Sequence, residues 1–211
     1  DGPAGAGKST IAKLVAKEKG YIYVDTGAMY RGMAIHFLDK GIRAKETDKI
    51  ISALKDAEVT IRYEEGLQQV YLNGRNITDR LREEEVGKMA SLTSAIPQVR
   101  QKLLELQKGL ARTQDVIMDG RDIGTCVLPY ADVKIYLTAS VETRAKRRYD
   151  ELTEKGIACD LDEIERDIKE RDERDSTREI APLKQAEDAV LVDSSHMTID
   201  EVVAAIVKLC R

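Results

Sequence analysis

The chain is poor in the residues that carry several common kinds of chemistry. Its 211 residues include two histidines, one phenylalanine, no tryptophan and three cysteines that lie far apart in sequence. Without a CxxC pair, the cysteines indicate neither a disulfide framework nor a zinc site, and they fit a reducing compartment, so we expect a cytoplasmic protein. Neither histidine lies beside a candidate nucleophile or metal cluster, and we interpret both as structural.

Long apolar runs and an excess of positive charge are also absent. No apolar stretch approaches the ~20 residues that span a bilayer, and VVAAIV at 202–207 is the longest near the end. The formal net charge is −4, whereas a surface for bulk nucleic acid needs clustered basic residues and aromatic side chains for stacking. We therefore predict no membrane span and no nucleic-acid partner. Local basic clusters remain suited to small phosphorylated ligands.

Short apolar runs alternate with helical patterns along most of the chain. Four runs are β-rich and continuously apolar: YIYVD (21–25), DVIMD (115–119), VKIYLT (133–138) and AVLVD (189–193). Such runs are typical of strands that are buried on both faces. Helical patterns begin near four residues: Ser9, Ala28, Pro97 and Thr198, the last in a T-x-x-E capping box. Strands separated by helices predict an α/β fold of three layers, in which helices flank a central parallel sheet.

Two stretches break this rhythm. The first runs from about residue 41 to 94. Apolar and polar residues alternate within its segments VTIRYEE and QQVYLNGRNIT, and Asn73-Gly74 between apolar runs is a hairpin signal. This stretch predicts a small antiparallel insert outside the main sheet. The stretch 141–178 carries RAKRR and then the highly charged DLDEIERDIKERDERDSTRE, and it predicts helices with solvated faces, with Gly156 as a helix stop. Its arginines exceed what a solvated face requires.

The first ten residues, DGPAGAGKST, contain G-x-x-x-x-G-K-S, the phosphate-binding P-loop. The backbone N–H groups of such a loop and the start of the following helix cradle phosphates. Lys8 is expected to reach the β- and γ-phosphates of a nucleoside triphosphate, and Ser9 to ligate Mg²⁺. The alternative, an ordinary glycine-rich turn, leaves unexplained the helical pattern that follows at once. Because a P-loop normally follows a buried strand, we expect a strand before residue 1 and a natural protein that is longer at this end.

Arginines recur at places suited to phosphate binding. In DTGAMYRG (25–32) we expect Thr26 and Gly27 to form a turn and Arg31 to lie on the first turns of a helix. MDGRDIGT (118–125) carries Arg121 and Asp122 between two glycines, and ERDERDSTRE supplies Arg171, Arg174, Asp175 and Arg178. Arg31 alone is equally compatible with a solvated surface. Asp119 either orders Mg²⁺ through water or caps its strand.

The motifs GPAGAGKST, DTGAMYR, DGRDIGT and RDERDSTR, in this order, closely resemble the bacterial cytidylate kinases, a family of P-loop nucleoside monophosphate kinases. The resemblance covers essentially the whole chain. It implies transfer of a phosphoryl group from Mg·ATP to CMP or dCMP by an enzyme that we expect to be a monomer. It also implies a core of residues 1–30, 95–141 and 172–211, a monophosphate-binding region at 31–94 that includes the insert, and a lid at 142–171.

The resemblance also assigns site residues. The ATP and phosphate set is Gly2, Pro3, Ala4, Gly5, Ala6, Gly7, Lys8, Ser9, Thr10, Arg144, Arg147 and Arg148. The CMP phosphate is assigned to Thr26, Arg31, Arg121 and Arg178, the sugar to Asp175, and the base to Ser91, Arg100 and Asp122. The catalytic set is Lys8, Arg121, Arg171 and Arg178, and the Mg²⁺ set is Ser9, with Asp119 through water.

The base chemistry agrees with this assignment. Cytosine presents an N4 donor that a carboxylate accepts, whereas uracil presents an acceptor at that place, so Asp122 favours cytosine over uracil. Other functions stay open. One is a small-molecule P-loop kinase that acts on AMP, UMP or shikimate, against which the base-reading set argues. Another is a non-catalytic nucleotide switch, against which the arginines and the absence of the guanine motif N-K-x-D argue.

Overall fold

The computed structural model describes residues 1–112 and 114–210, and it confirms an α/β fold with a P-loop. Its helices and strands are, in chain order, α1 (Lys8–Lys19), β1 (Ile22–Asp25), α2 (Thr26–Asp39), α3 (Thr47–Ala53), β2 (Val59–Glu64), β3 (Leu67–Leu72), β4 (Arg75–Asn76), α4 (Glu84–Thr93), α5 (Pro97–Leu110), β5 (Val116–Asp119), β6 (Ile135–Thr138), α6 (Val141–Glu154), α7 (Leu161–Thr177), β7 (Val190–Asp193) and α8 (Ile199–Val207). The chain divides into two compact units, Asp1–Gly20 with Asp119–Arg211, and Tyr21–Met118.

The unit that contains the P-loop is organised around the parallel pair β6–β7, in which Ile135 lies opposite Val190. Asp1 lies beside β6 in strand-like pairing, because its nitrogen donates to the Ile135 carbonyl at 2.7 Å and its carbonyl accepts from the Leu137 amide at 2.8 Å. The P-loop therefore starts beside β6, and α1 carries the chain away from it.

Helix ends in this unit follow local signals. The predicted capping box of α8 is present: the Thr198 hydroxyl accepts from the Glu201 amide, and the Glu201 carboxylate accepts from the Thr198 amide. The predicted stop of α6 is also confirmed, since Gly156 has a φ of 70° and its amide donates to the Thr153 carbonyl at 2.9 Å. Helices α6 and α7 pack against each other and form the charged arm.

The second unit combines a helical core with the antiparallel sheet β2–β3–β4. The predicted hairpin is confirmed: Asn73 and Gly74 join β3 to β4 with φ values of 50° and 80°, as a two-residue turn of positive φ requires. Strand β1 lies beside β5. Helix α2 forms the centre of the apolar core, with Met29, Met33 and Phe37 fully buried.

The start of α2 differs from the sequence prediction. We predicted a turn at Thr26 and Gly27 and a helix from about Ala28, but the helix begins at Thr26. Asp25 is both the last residue of β1 and the N-cap of α2, and its Oδ1 accepts from the Ala28 amide at 2.9 Å. An aspartate is among the best N-caps, so the strand passes into the helix without a separate turn.

None of the helices in residues 1–112 and 114–210 combines the length and the apolar character needed to cross a bilayer. Cys126, Cys159 and Cys210 are all free thiols.

Candidate active site

Glycine is required in the P-loop for steric reasons. Gly2 has a φ of 145°, and a Cβ at this position would lie 1.9 Å from the Leu137 carbonyl oxygen. Gly7 has a φ of 86° and forms the N-cap of α1 in the left-handed region. The loop therefore lies close against β6 and leads directly into the start of α1, and the N-terminus of a helix favours bound phosphate.

Lys8 folds back over this loop, and its Nζ donates to the Pro3 carbonyl at 2.7 Å. Burial lowers the pKa of Lys8 well below its usual range, and the positive charges of Arg121 and Arg171 act in the same direction. Three cationic side chains thus converge at the loop. A bound polyphosphate would neutralise their repulsion and raise the pKa of Lys8 again.

Ser9 and Asp119 form the part of the site that is suited to a metal ion. The Ser9 hydroxyl donates to Asp119 Oδ2 at 2.8 Å, and Asp119 is only 7% exposed at the end of β5. In the described part of the chain, no three His, Cys, Asp or Glu side chains are grouped to hold a metal. This sparse set of oxygen atoms fits Mg²⁺, which takes one or two protein ligands and completes its shell with phosphate and water.

Two ion pairs link the predicted phosphate-binding arginines to the predicted sugar and base carboxylates. Arg121 Nε donates to Asp175 Oδ2 at 2.9 Å, and Arg178 Nη2 donates to Asp122 Oδ1 at 3.3 Å. The side chains of the second pair are each 7% exposed. Arg178 Nε also donates to the Ala181 carbonyl at 2.7 Å. Because both pairs are largely buried, removing one partner would leave a charge without compensation.

The three predicted lid arginines occupy different surroundings. Arg144 is 4% exposed, and its guanidinium donates to the carbonyls of Ala4 and Ala139, both at 2.9 Å, and pairs with Asp172 at 2.6 Å. It therefore joins the P-loop, the end of β6 and α7.

The other two lid arginines are exposed and lie outside this group of contacts. Arg147 donates to the Ser194 carbonyl at 2.7 Å, and Arg148 pairs with Glu151 at 2.8 Å.

The second unit holds the remaining predicted acceptor residues. Thr26 is buried at the first position of α2, and Arg31 follows just over one turn later. A Cβ on Gly27 would lie 3.2 Å from Arg31 Nη1 and 3.1 Å from Asp25 Oδ1. The glycine therefore leaves room for the guanidinium beside the first turn of the helix, where N–H groups also favour an anion.

Arg100 of α5 lies beside α2 in the same unit. Its Nη1 donates to the Ser94 carbonyl at 3.2 Å, and its Cζ lies 5.6 Å from the centre of the Tyr30 ring, within cation–π range. The Ser94 hydroxyl donates to the Ser91 carbonyl at 3.0 Å, which links Ser91 to this group. Sequence analysis missed Tyr30, although an aromatic residue directly before Arg31 was an available signal.

Ser91 has an unusual hydroxyl group. Among residues 1–112 and 114–210, no donor or acceptor lies within hydrogen-bond reach of its buried Oγ. A buried hydroxyl without a partner is costly, and such atoms are rare in folded proteins. Ser91 therefore has unused hydrogen-bonding capacity at the edge of the Arg100 group.

A glycine-rich loop with its lysine, a serine beside a buried carboxylate, and arginines around them define a P-loop nucleotide-binding protein of the phosphotransferase type. The chain belongs to the cytidylate kinase family, whose sequence profile matches residues 1–211.

Individual relatives agree with this family. The chain is 50% identical over 209 residues to a cytidylate kinase of Caldicellulosiruptor saccharolyticus, which covers 99% of this chain and 92% of the relative. It is 49% identical over 211 residues to a cytidylate kinase of Lactobacillus johnsonii, covering 100% and 92%. A cytidylate kinase of a Geobacillus species is 46% identical over 209 residues, covering 99% and 93%. The similarity thus extends over nearly the full length of these relatives.

Proposed function

We propose that the protein transfers the γ-phosphoryl group of Mg·ATP to CMP or dCMP and releases ADP with CDP or dCDP. The observation that carries this proposal is the pair of buried ion pairs, Arg121–Asp175 and Arg178–Asp122, in the same unit as the P-loop. They supply planar cations for phosphate and carboxylates for the hydroxyl and amino groups of a nucleotide. The relatives, which are cytidylate kinases, support the same reaction.

The donor nucleotide is held by the P-loop. Its N–H groups and Lys8 bind the phosphates, and Ser9, with Asp119 through water, holds Mg²⁺. The metal ion, when bound, supplies positive charge to the phosphate oxygens. The hydrogen bond from Ser9 to Asp119 orients both oxygens for this task.

Catalysis rests on placement and positive charge, because phosphoryl transfer asks little covalent chemistry of the protein. Arg121, Arg171 and Arg178 surround the transferring group and stabilise the charge that spreads over its oxygens. The lowered pKa of Lys8 supports this role: burial is its main cause, and the positive charges of Arg121 and Arg171 add to it although Asp119 and Asp175 act in the opposite direction. A bound polyphosphate would add further negative charge beside these cations. The account assigns no general base.

The acceptor is recognised in three parts. Its phosphate is held by Thr26, Arg31, Arg121 and Arg178, and its sugar hydroxyls by Asp175. Its base is read by Ser91, Arg100 and Asp122. The unsatisfied hydroxyl of Ser91 supports the base assignment, because a ligand would provide the partner that the protein does not.

The lid, residues 142–171 within the charged arm, is proposed to exclude water and prevent wasteful hydrolysis of ATP. Arg147 and Arg148 are proposed to meet ATP phosphates in this role. Arg144 holds the P-loop against α7, and its predicted contact with ATP stays a prediction. A monomeric state and a cytoplasmic location also stay predictions.

A panel of acceptors tests the proposed reaction. ADP release is measured with Mg·ATP and CMP, dCMP, UMP, AMP or no acceptor. We expect release with CMP and dCMP well above all other conditions. Equal release with UMP or AMP would favour another monophosphate kinase, and release that is independent of the acceptor would favour a nucleotide switch or an ATPase.

A further inference from the structure

We propose that Gln68, in the antiparallel insert, is a positioning residue for the acceptor phosphate site. It acts by holding the backbone at the junction of β1 and α2, from which Thr26 and Arg31 project. This inference rests on the proposed function, in which those two residues bind the phosphate of CMP. It gives the insert a role in positioning this site and assigns that role to a side chain outside the proposed set of substrate-binding residues.

The side-chain amide of Gln68 makes two hydrogen bonds to one residue. Its Oε1 accepts from the Asp25 amide at 2.9 Å, and its Nε2 donates to the Asp25 carbonyl at 3.1 Å. The amide thus satisfies both backbone groups of Asp25, as a neighbouring β-strand would. Asp25 is the last residue of β1 and the N-cap of α2, so the position of α2 depends on it directly.

A further hydrogen bond from the insert holds the same strand. The Tyr63 hydroxyl donates to the Tyr23 carbonyl at 3.2 Å, two residues before Asp25. Burial raises the pKa of Tyr63 to about 12, which keeps this hydroxyl protonated and able to donate. Together Gln68 and Tyr63 bind the backbone of β1 to the insert at Asp25 and Tyr23.

The insert also fixes the next part of α2. A Cβ added to Gly32 would lie 3.3 Å from Val70 Cγ1 and 3.5 Å from both Ile77 Cδ1 and Val59 Cγ2. The helix therefore packs closely on the insert at Gly32, where a larger residue would press against Val70. Arg31 lies directly before Gly32 and six residues after Asp25, between the two places where the insert holds the chain.

This arrangement has a specific kinetic consequence. A bidentate arginine–phosphate contact requires the guanidinium to be placed within a fraction of an ångström. Loss of the Gln68 bonds leaves the N-cap residue free to shift, which weakens binding of the acceptor phosphate. It leaves the P-loop contacts with ATP unchanged. From the usual net contribution of a hydrogen bond to stability, we expect the loss of two bonds to raise KM for CMP by roughly five- to fiftyfold.

Gln68→Met removes both hydrogen bonds and keeps the length of the side chain. The matched control is Gln69→Met, because the neighbouring Gln69 Oε1 accepts only from Asn76 Nδ2 among the hydrogen bonds described, at 3.2 Å on an exposed part of the sheet. For both variants and the parent protein, KM is measured for CMP and for Mg·ATP, together with kcat and Tm. Amide hydrogen exchange at Asp25 reports the lost contact without reference to activity.

We expect Gln68→Met to raise KM for CMP by the stated factor, with KM for Mg·ATP within about twofold, and to speed exchange at Asp25. We expect Gln69→Met to change none of these. If Gln68→Met fails to fold, Gln68→Glu provides the test, because it keeps the acceptor for the Asp25 amide and loses the donor to the Asp25 carbonyl. It should raise KM for CMP in the same selective way.

The inference would be overturned if KM for CMP were equal in the Gln68 and Gln69 variants. A fall in Tm with proportional increases in both KM values would also overturn it, because that pattern indicates a purely structural side chain. Failure of the proposed function gives a different result, since the parent protein itself would then show no CMP-dependent release of ADP.

Discussion

Arg178 and Asp122 form an ion pair at 3.3 Å, and each side chain is only 7% exposed. Asp122 comes from the segment after β5, and Arg178 directly follows α7. In the proposed function, one partner holds the phosphate of the acceptor and the other reads its base. The pair therefore connects phosphate binding with base recognition. Because the pair is buried, loss of either residue should impair both.

Base selectivity depends on the carboxylate of Asp122. We expect Asp122→Asn to lower kcat/KM for CMP by roughly ten- to a hundredfold, because an amide in place of the carboxylate loses a charge-assisted acceptor and weakens the pairing of Arg178. The loss for UMP should be smaller, so that the ratio of CMP to UMP efficiency falls. Steady-state kinetics with both acceptors give this ratio. An unchanged ratio would remove Asp122 from base recognition.

Arg178 is predicted to act on the transferring group as well as on the acceptor. We expect Arg178→Ala to lower kcat by roughly 10³-fold or more, since arginines at a transferring phosphoryl group contribute at about this scale. The control is Arg174→Ala, in the last turn of α7, the helix that Arg178 directly follows. Arg174 is exposed and lies 3.9 Å from the carboxylate of Glu170. Comparable turnover in the two variants would contradict the assigned role.

Binding of ATP should be linked to uptake of protons through Lys8. Burial and neighbouring cations lower the pKa of Lys8 in the free protein, and polyphosphate raises it again. At pH values between the free and bound pKa, the complex therefore takes up protons, and affinity for ATP falls as pH rises through this window. Calorimetry of ATP binding in buffers of different ionisation enthalpy measures the uptake.

Two variants control this measurement. Lys8→Met should abolish the linked uptake and nearly all turnover, whereas Lys17→Ala, at an exposed position of α1, should retain both. If ATP binding were still linked to proton uptake in the Lys8→Met variant, a group other than Lys8 would be the one that takes up the proton.

Arg144 is predicted to stabilise the unit that contains the P-loop. Arg144→Ala leaves the carboxylate of Asp172 and two backbone carbonyls without their donor, so we expect the free energy of unfolding to fall by about 3–5 kcal/mol. Arg148→Ala removes an exposed ion pair with Glu151 and should change the free energy of unfolding by less than about 1 kcal/mol. Denaturation with urea measures both values. Equal stability of the two variants would show that the Arg144 contacts add little.

Features that depend on local sequence could be predicted from it. The P-loop, the Asn73-Gly74 hairpin, the helix start at Pro97 and the capping box at Thr198 each rest on a few adjacent residues with strong backbone or capping preferences. The start of α2 was placed two residues late because Asp25 serves two elements at once. Here the capping preference of aspartate outweighed the turn signal of Gly27.

Features that depend on distant residues could not be predicted in this way. The Arg178–Asp122 pair joins residues 56 apart, and Arg144 reaches Ala4 across 140 residues. Gln68 lies 43 residues from Asp25, and no local pattern relates the two. The roles of the individual site residues stay predictions, because they depend on where substrate groups lie.

Transfer of labelled phosphate tests the central claim most directly. The full chain is incubated with Mg·ATP labelled at the γ-phosphate and with CMP, and the labelled products are separated. The account predicts that label appears in CDP at a rate equal to the release of ADP, and that little label appears in inorganic phosphate. Label that appears mainly in inorganic phosphate, with none in CDP, would contradict it.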